Sequence, residues 1–544
     1  MKNLKYASSL TRAENLMIAN KLDQALTEYQ TVLKKDPKNF LAHANCAIIY
    51  CTLCETNKAI GHFESIKDKV PNNESLVVKY ADCLNKNEKY DDAIEVLKKA
   101  SDLNNKNVNF LCAIAAAYSK KEKHLDALSY AIQAIQIDPK NPGAFLQLGN
   151  VLFDLKRYSD AIIAFNTTID LDPGHATARF NLASCYSSIN EYDRAIEQYN
   201  LCLATPDLAQ DSLKQIDFFL SHIYLKKGEL EKGWALHERG FINNTYTSRH
   251  PYRKFDVPRW DGQPLHGKRL LIWKEQGLGD MFMFMSCFAP VLELCDDIVI
   301  ECDYRAIPLL QRSFPQCTVR RETYLGDYTT NYKDFDFHLP MGSLMYHFRP
   351  DLASFAQSKP YLLPSPELAN IFQERLSDNE TRLKIGICWR SGVTSTMRNS
   401  NYLPLAEFFP VLNMPNCTFV NLQYGDCEKE LSTLANDYGI LLNNWPDIDL
   451  KNNLDAVTSL ISELDLVISA GTAVAQIAAA AGTKLVLFSP TNTYAFLGQD
   501  EYPWYPNIKS FLFTGDEEKA EIPLRIQHYI TENFEHIKNS PTLK

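Results

Sequence analysis

Residues 139–173 read PKNPGAFLQLGNVLFDLKRYSDAIIAFNTTIDLDP, and this stretch contains one full period of an internal repeat. Its central small residue recurs every 34 positions, at Ala25, Ala59, Ala93, Ala127, Ala161 and Ala195. Two further columns keep the same period: one is small (Ala13, Ala47, Ala81, Ala115, Gly149, Ala183) and one is bulky (Leu16, Tyr50, Leu84, Tyr118, Leu152, Tyr186). Small residues let two antiparallel helices approach, and bulky residues fill the groove between them. The pattern therefore predicts six helix pairs in tandem.

This pattern resembles the tetratricopeptide family over about residues 6–207. Prolines that would end the second helix of a pair keep the period at Pro37, Pro71, Pro139 and Pro173. A less regular seventh unit runs from about Lys214 to Gly240 and is interpreted as a cap. We therefore expect residues 1–240 to hold six regular repeats and one capping repeat. Such arrays usually bind a peptide or protein, although a purely structural spacer remains an alternative.

The repeat pattern ends at about residue 240, and the composition of the sequence changes there. Residues 241–267 are rich in Pro, Gly, Arg and Trp without a period, which indicates an ordered linker. Short β-branched runs then alternate with helical stretches, which is typical of parallel sheets. Expected strands are Arg269–Trp273, Ile298–Cys302, Cys317–Arg321, Phe335–Leu339, Lys384–Trp389, Thr418–Leu422, Leu466–Ser469 and Lys484–Phe488. The predicted fold class is α + α/β: a helical solenoid, then two Rossmann-like lobes (residues 268–370 and 371–515) and a C-terminal helix (residues 516–544).

Composition limits the classes of partner and compartment. The 544-residue chain has a formal net charge of −10, which argues against a nucleic-acid backbone as partner. The N-terminal sequence lacks the apolar stretch of a signal peptide, and no membrane span is expected. The 14 cysteines are not spaced like those of a disulfide framework, which suits a reducing cytoplasm. Cys51 and Cys54 have zinc-like spacing but no second pair, so they are interpreted as packing residues.

Three segments of the α/β half could carry chemistry. The first, EQGLGD (residues 275–280), joins a strand to a helix, so its glycines and the helix N-terminus favour an anionic ligand. Asp280 is either a favourable first-turn carboxylate or a catalytic group. The second, GICWRSG (residues 386–392), ends a strand beside two arginines and is either a phosphate-binding loop or an ordinary surface loop. The third, LDLVISAGTAVAQ (residues 464–476), is either a phosphate-binding strand–helix junction or an Ala-rich helix packed on a sheet.

Together with VNLQYGD (residues 420–426) and YPWYP (residues 502–506), these segments resemble the GT-B glycosyltransferases of the heptosyltransferase-like group. The resemblance covers residues 265–515. It implies that Asp280 is the catalytic base and that the second lobe binds a nucleotide-sugar, with no metal and no cofactor beyond that substrate. Implied donor-binding residues are Trp389, Arg390, Ser391, Arg398, Gln423, Gly471, Thr472, Ala473 and Gln476. Gly277, Gly279, His338 and Trp504 are implied candidates for the acceptor side of the cleft.

The third segment departs from the heptosyltransferase pattern. Gly471 and Gln476 stand where those enzymes often have Asp and His, which argues against an ADP-heptose donor. The variants are more similar to repeat-containing enzymes that transfer a nonulosonic acid, such as pseudaminic acid, to flagellin. The expected reaction is therefore transfer from a CMP-linked sugar to Ser or Thr of a protein, with flagellin held by the repeats. Alternatives are an O-GlcNAc-type or heptosyltransferase-like enzyme, or an inactive scaffold or chaperone. Asp447 and Asp449 have the spacing of a metal-binding pair but are interpreted as loop residues.

Overall fold

The structure is a computed structural model of the whole chain. It describes residues 7–104, 107–205, 210–241, 249–325, 328–377, 381–392, 401–491 and 493–539. The chain divides into two compact units, residues 1–206 and residues 207–544.

The first unit is built from consecutive helix pairs, as the repeat predicts. Residues of the central column and of the small column are buried without exception; for example, Ala25, Ala59 and Ala195 of the central column are fully inaccessible. The helices are α1 (Ala7–Ile18), α2 (Leu22–Lys35), α3 (Phe40–Thr52), α4 (Thr56–Glu64), α5 (Glu74–Lys86), α6 (Tyr90–Leu103), α7 (Val108–Lys120), α8 (His124–Ile137), α9 (Pro142–Asp154), α10 (Tyr158–Leu171), α11 (Ala176–Ser188) and α12 (Tyr192–Leu203).

The ends of these helices repeat with the same period. Four asparagines act as N-caps, and each side-chain oxygen accepts a backbone N–H from the first turn: Asn39, Asn73, Asn107 and Asn141. The tight turn inside each pair has one residue in the left-handed region: Asn20, Cys54, Glu88, Glu122, Lys156 and Asn190. Capping satisfies N–H groups that have no partner within the helix. Local chemistry therefore defines both ends of each repeat.

The ring of Phe165 explains why the small column has glycine at position 149. A Cβ on Gly149 would lie 2.5 Å from the ring of Phe165, which is fully buried. Helices α9 and α10 pack closely at this point because glycine leaves room for the ring.

The second unit contains two parallel sheets. The first has the strand order β3-β2-β1-β4, formed by β1 (Arg269–Trp273), β2 (Asp297–Cys302), β3 (Thr318–Arg321) and β4 (Phe337–Pro340). The second has the order β6-β5-β7-β8-β9, formed by β5 (Leu383–Cys388), β6 (Cys417–Asn421), β7 (Leu466–Ala470), β8 (Leu485–Pro490) and β9 (Ile508–Phe513). All eight predicted strands are present, and β9 is an additional strand. Buried residues on both faces account for the continuous apolar runs in the sequence.

Helices cover these sheets, as parallel connections require. Those of the first lobe are α15 (Leu278–Met285), α16 (Ala289–Leu294), α17 (Ile307–Ser313) and α18 (Leu344–Phe348). Then follow α19 (Pro366–Arg375), α20 (Phe409–Leu412), α21 (Glu428–Tyr438), α22 (Leu454–Ile461), α23 (Ala473–Ala480) and α24 (Asp516–Asn539). The last of these is the expected C-terminal helix.

The seventh helix pair belongs to the second unit, which moves the boundary from the expected residue 240 to residue 206. It comprises α13 (Gln210–Lys226) and α14 (Leu230–His237). Trp234 is 1% exposed, and its ring packs edge-on against Trp504 of the α/β fold at 6.4 Å. Leu225 and Leu230 join the same core. The described part of the expected linker is also packed, because Trp260 and Leu265 are buried in this core.

A fragment that begins at residue 207 is therefore expected to fold, and one that begins at residue 241 is expected not to. The shorter fragment loses Leu225, Leu230 and Trp234 from the core, a loss of about 5–9 kcal/mol at ~1.5–3 kcal/mol for each large apolar side chain. That amount is comparable with the whole stability of a typical domain. Near-UV circular dichroism and thermal melting of the two fragments measure the difference. A cooperative melt of the shorter fragment at the same temperature would contradict this assignment.

Candidate functional site

A cleft of about 950 Å³ lies at the C-terminal ends of strands from both sheets of the second unit. The loop after β1 lines one side, and the loop between β7 and α23 lines the other. Parallel α/β sheets commonly bind ligands at this edge. Predicted site residues that line the cleft are Gly277, Gly279, Asp280, Ser391, Gly471, Thr472, Ala473 and Gln476. Residues from three distant segments of the sequence thus meet around one cavity.

Asp280 is a first-turn carboxylate of α15 that also lies at the cleft. Its carboxylate accepts a hydrogen bond from the backbone N–H of Gly277 at 3.0 Å, so it caps the first turn of α15. The residue also lines the cleft. Burial raises the pKa of this carboxyl above its usual value, and the backbone N–H of Gly277 acts in the opposite direction. A carboxylate with a raised pKa beside a cavity is suited to accepting a proton.

Two helix N-termini meet at the cleft. Helices α15 and α23 pack against each other, and Gly279 lies at their contact. A Cβ at Gly279 would lie 3.7 Å from the Cα of Ala473 and 3.8 Å from the Cγ of Gln476. Partial positive charge at both N-termini favours an anion in the cavity beside them.

Gln476 connects the two lobes across this contact. Its amide nitrogen donates to the hydroxyl of Tyr502 at 2.7 Å, and that hydroxyl donates to the sulfur of Met283 at 3.0 Å. Within the described residues, the amide oxygen of Gln476 is buried and has no hydrogen-bond partner. The side chain thus ties α23 to the first lobe through Tyr502 and Met283.

The GICWRSG segment contributes less to the cleft than its sequence predicts. Trp389 is fully buried and donates to Glu430 at 2.8 Å. Arg390 pairs with the same carboxylate, with its Nε 3.0 Å from an oxygen of Glu430, and it donates to the carbonyl of Asp426. Neither side chain lines the cleft, whereas Ser391 does. The predicted donor-binding role of Arg390 is therefore replaced by a structural ion pair.

Gln423 also has a structural position. Its amide oxygen accepts the backbone N–H groups of Trp389 at 3.2 Å and Arg390 at 3.0 Å, and its amide nitrogen donates to the carbonyl of Arg390. These bonds hold the loop after β5 in place. Arg398, the other predicted cation of this region, lies outside the described residues.

The two aromatic candidates for the acceptor side lie in packed regions outside the cleft lining. His338 stacks on Phe255 at 3.8 Å and accepts the indole N–H of Trp273 at 3.2 Å. Burial lowers the pKa of His338 to about 3, so the ring is neutral. Trp504 is fully buried and donates to the carbonyl of Ala495 at 2.6 Å. Both residues pack the fold rather than face a ligand.

The predicted loop role of the Asp447–Asp449 pair agrees with its contacts. Asp447 pairs with Arg375 at 2.6 Å, and Asp449 accepts the backbone N–H groups of Lys451 and Asn452. The described residues contain no group of three or more His, Cys, Asp or Glu side chains arranged to hold a metal ion. No helix within the described ranges combines the length and apolar character needed to cross a bilayer.

Sequence reasoning missed three cavity-lining residues and one buried ion pair. His222, Lys226 and Tyr494 line the cavities at the edge of the second sheet. They escaped detection because they lie in the seventh helix pair and in a short 3-10 helix (Tyr494–Phe496), outside every motif. Glu275 lies inside the EQGLGD motif and pairs with Arg249, both fully buried, through a hydrogen bond of 2.8 Å from the arginine Nε. The sequence offered one signal for this ion pair: Glu275 is a charged residue in the turn directly after an apolar strand.

Comparison with known proteins supports the assignment of tetratricopeptide repeats to the N-terminal part of the chain. The family model "Psidin, N-terminal TPR repeats region" matches residues 16–147, and the model "Tetratricopeptide repeat" matches residues 146–209. The chain is 32% identical to Protein FlbA of Caulobacter vibrioides over 316 residues, which is 56% of this chain and 52% of that protein. The chain thus spans about half the length of this curated relative. Because the first unit has 206 residues, the match includes part of the α/β unit.

Two solved structures are also similar in part. A tetratricopeptide repeat protein from Parabacteroides merdae is 14% identical with a TM-score of 0.38, covering 43% of this chain and 91% of that one. The pilF protein of Pseudomonas aeruginosa is 16% identical with a TM-score of 0.30, covering 36% of this chain and 89% of that one. At these TM-scores, neither structure indicates a function for this chain.

Proposed function

We propose that this chain is a glycosyltransferase that moves a sugar from a nucleotide-sugar to a protein hydroxyl group. The observation that carries the proposal is the meeting of EQGLGD, the end of GICWRSG, and the β7–α23 junction around one cleft. These segments are the ones by which the sequence resembles GT-B glycosyltransferases. A cavity of about 950 Å³ accommodates a nucleotide-sugar.

The proposed reaction uses Asp280 as general base. The acceptor hydroxyl oxygen attacks the anomeric carbon while Asp280 takes its proton. The bond between that carbon and the phosphate oxygen breaks, and the nucleotide leaves with the electron pair. The N-termini of α15 and α23 stabilise the developing negative charge.

The proposed donor is a CMP-linked nonulosonic acid. Gly471 and Gln476 line the cleft at positions where heptosyltransferases often carry Asp and His. Gln476 is neutral and bound to Tyr502, so it supplies neither a charge nor an imidazole to the donor.

Isothermal titration calorimetry of the full chain against CMP, UDP, ADP and GDP tests the donor class. We expect CMP to bind most tightly, because a single phosphate needs fewer cations than a diphosphate. Binding of ADP as tight as that of CMP would contradict the nonulosonic-acid donor. If no nucleotide binds, the transferase proposal fails and the scaffold alternative gains support.

The repeats suggest a protein partner, and we propose that the acceptor is flagellin. Helix-pair arrays present long surfaces that suit a peptide or protein. In the proposed division of labour, residues 1–206 recognise the acceptor and residues 207–544 hold the donor. Modification of flagellin by the fragment 207–544 at the full-length rate would contradict this division.

A further inference from the structure

Two cysteines of the first unit meet between neighbouring repeats. Cys51 lies in the last turn of α3, and Cys83 lies in the last turn of α5. Their sulfur atoms are 3.2 Å apart. In the described part of the chain, which includes all 14 cysteines, no other cysteine is hydrogen-bonded to a second one. Two sulfurs at this separation need only a small side-chain movement to reach the disulfide bond length of about 2.05 Å.

The repeat explains why these two side chains meet. Cys51 follows Tyr50 of the bulky column, and Cys83 precedes Leu84, the next residue of that column. The two positions are 32 residues apart, and the same pair of positions recurs along the array. The other pairs are Met17 and Ile49, Asn85 and Ala117, Ser119 and Val151, and Phe153 and Cys185. Among these five pairs, the one between α3 and α5 alone carries a thiol at both positions.

The two thiols differ in access to solvent and in acidity. Cys51 is half-buried, whereas Cys83 is 1% exposed. The hydrogen bond with Cys83 lowers the pKa of the Cys51 thiol, and the ammonium groups of Lys79 and Lys86 act in the same direction, against burial and Asp82. The same hydrogen bond and burial raise the pKa of Cys83. Because the thiolate is the nucleophile, Cys51 is the sulfur that reacts first with an oxidant.

Other thiols of the first unit have the opposite character. Burial raises the pKa of Cys46 and Cys185 to about 12, and that of Cys112 and Cys202 to about 11. A buried thiol with a raised pKa reacts slowly, since little thiolate is present at neutral pH. Cys51 thus combines solvent access, a lowered pKa and a second sulfur in contact, and these are the features of a cysteine that oxidises reversibly.

We propose that Cys51 and Cys83 are a site of reversible oxidation, at which a peroxide converts the two thiols to a disulfide that joins α3 to α5. The Cys51 thiolate attacks one oxygen of hydrogen peroxide, the O–O bond breaks, and hydroxide leaves. The sulfur of Cys83 then attacks the resulting sulfenic acid. The S–S bond forms, the S–O bond breaks, and the oxygen leaves as water with the proton of the Cys83 thiol. The two sulfurs together lose two electrons, which reduce the peroxide.

The disulfide would stabilise the repeats and fix their arrangement. It joins positions 32 residues apart, so it restricts the unfolded chain. Helices α3 and α5 are the first helices of consecutive repeats, and the shape of such an array depends on the rotation between neighbouring repeats. We expect oxidation to raise the unfolding temperature of the repeats by about 5–15 °C. This site does not depend on the proposed glycosyltransferase function.

Peptide mapping of the full-length protein tests the proposal. The folded protein is treated with hydrogen peroxide, digested without reduction and analysed by mass spectrometry. We expect one peptide pair joined through Cys51 and Cys83, lighter by two hydrogens than the separate peptides and absent after treatment with dithiothreitol. Recovery of the two cysteines without a link between them would overturn the proposal. So would a disulfide that uses the exposed Cys54 instead, or a link that forms only in denaturant.

Three variants show whether this disulfide causes the stabilisation. Cys51→Ser and Cys83→Ala introduce residue types that the chain already has in the same columns, at Ser119 and Ala117. Both variants should lose the rise in unfolding temperature, and Cys83→Ala should leave a sulfenic acid on Cys51 that dimedone traps.

Cys185→Ala is the matched control. Cys185 is a buried cysteine of the same column as Cys83, and its pair position is Phe153. This variant should keep both the link and the rise in unfolding temperature. An equal rise in Cys83→Ala would overturn the stabilising role of the disulfide. If a variant does not fold, the peptide map of the wild-type protein decides by itself.

Discussion

Replacement of Asp280 by Asn is expected to lower the rate of sugar transfer by about two to four orders of magnitude, the usual contribution of a general base. The amide keeps an oxygen that can accept the N–H of Gly277 but cannot take a proton from the acceptor. Donor affinity should change little, because Asp280 acts on the acceptor. Turnover of a CMP-sugar donor on purified acceptor, together with calorimetry of CMP, measures both quantities.

The stability of Asp280 variants distinguishes a general base from a residue that only caps the helix. Because burial raises the pKa of Asp280 in the folded state, its charged form costs stability as pH rises through that pKa. At neutral pH, Asp280→Asn removes this cost and should melt at the wild-type temperature or above. Asp280→Ala also removes the cap, which costs about 1 kcal/mol relative to Asn. Full activity in Asp280→Asn would show that the residue is only a cap.

The pH profile gives an independent check on the same residue. A base must be deprotonated, so activity should fall as pH drops through the raised pKa of Asp280. The acidic limb should therefore lie above the ordinary aspartate value of about 3.9. Asp351→Asn is a suitable control, because that carboxylate also accepts a backbone N–H, from Ser354, but does not line the cleft.

Replacement of Glu275 by Ala is expected to destabilise the second unit by about 3–5 kcal/mol, the usual loss when one partner of a buried ion pair is removed. Glu275 and Arg249 are both fully buried. Glu275 also accepts the backbone N–H of Gly342 at 2.8 Å. Its removal leaves the Arg249 guanidinium buried without its main counter-charge. Chemical unfolding followed by tryptophan fluorescence measures the loss.

Two further variants define the cause of that loss. Lys232→Ala breaks the exposed Lys232–Glu229 pair and should leave the unfolding transition almost unchanged. The double replacement Arg249→Met with Glu275→Leu removes both charges and should recover part of the stability lost in Glu275→Ala. A loss below about 1 kcal/mol in Glu275→Ala would mean that Glu238, which pairs with Arg249 at 2.7 Å, compensates the guanidinium without Glu275.

Glu275 and Asp280 show how one motif serves two purposes. Both carboxylates lie in EQGLGD, six residues of continuous sequence. Glu275 points into the core, to Arg249, while Asp280 faces the cleft. Sequence reasoning selected Asp280 from the resemblance and passed over Glu275. The direction of the backbone through this turn places the Glu275 side chain in the core and the Asp280 side chain at the cleft.

The amino-acid sequence by itself determined the helix pairs and the parallel strands. The repeat is a local pattern, since each Ala or Gly of the small column contacts neighbours within about one period of sequence. Strands such as Arg269–Trp273 are buried on both faces and therefore appear as continuous apolar runs. Neither conclusion needs information about distant parts of the chain.

Only the tertiary structure decided which predicted site residues reach the cleft. Arg390 turns to Glu430, Gln423 binds the loop after β5, and Trp504 fills the core beside Trp234. Lys226 lines a smaller cavity of about 360 Å³, next to the turns at Gly228 and Gly498 that pack α13 against the loop after β8. Each of these outcomes depends on a partner far away in sequence, because a side chain's direction is set by the packing and hydrogen bonds of the folded chain rather than by its neighbours in the motif.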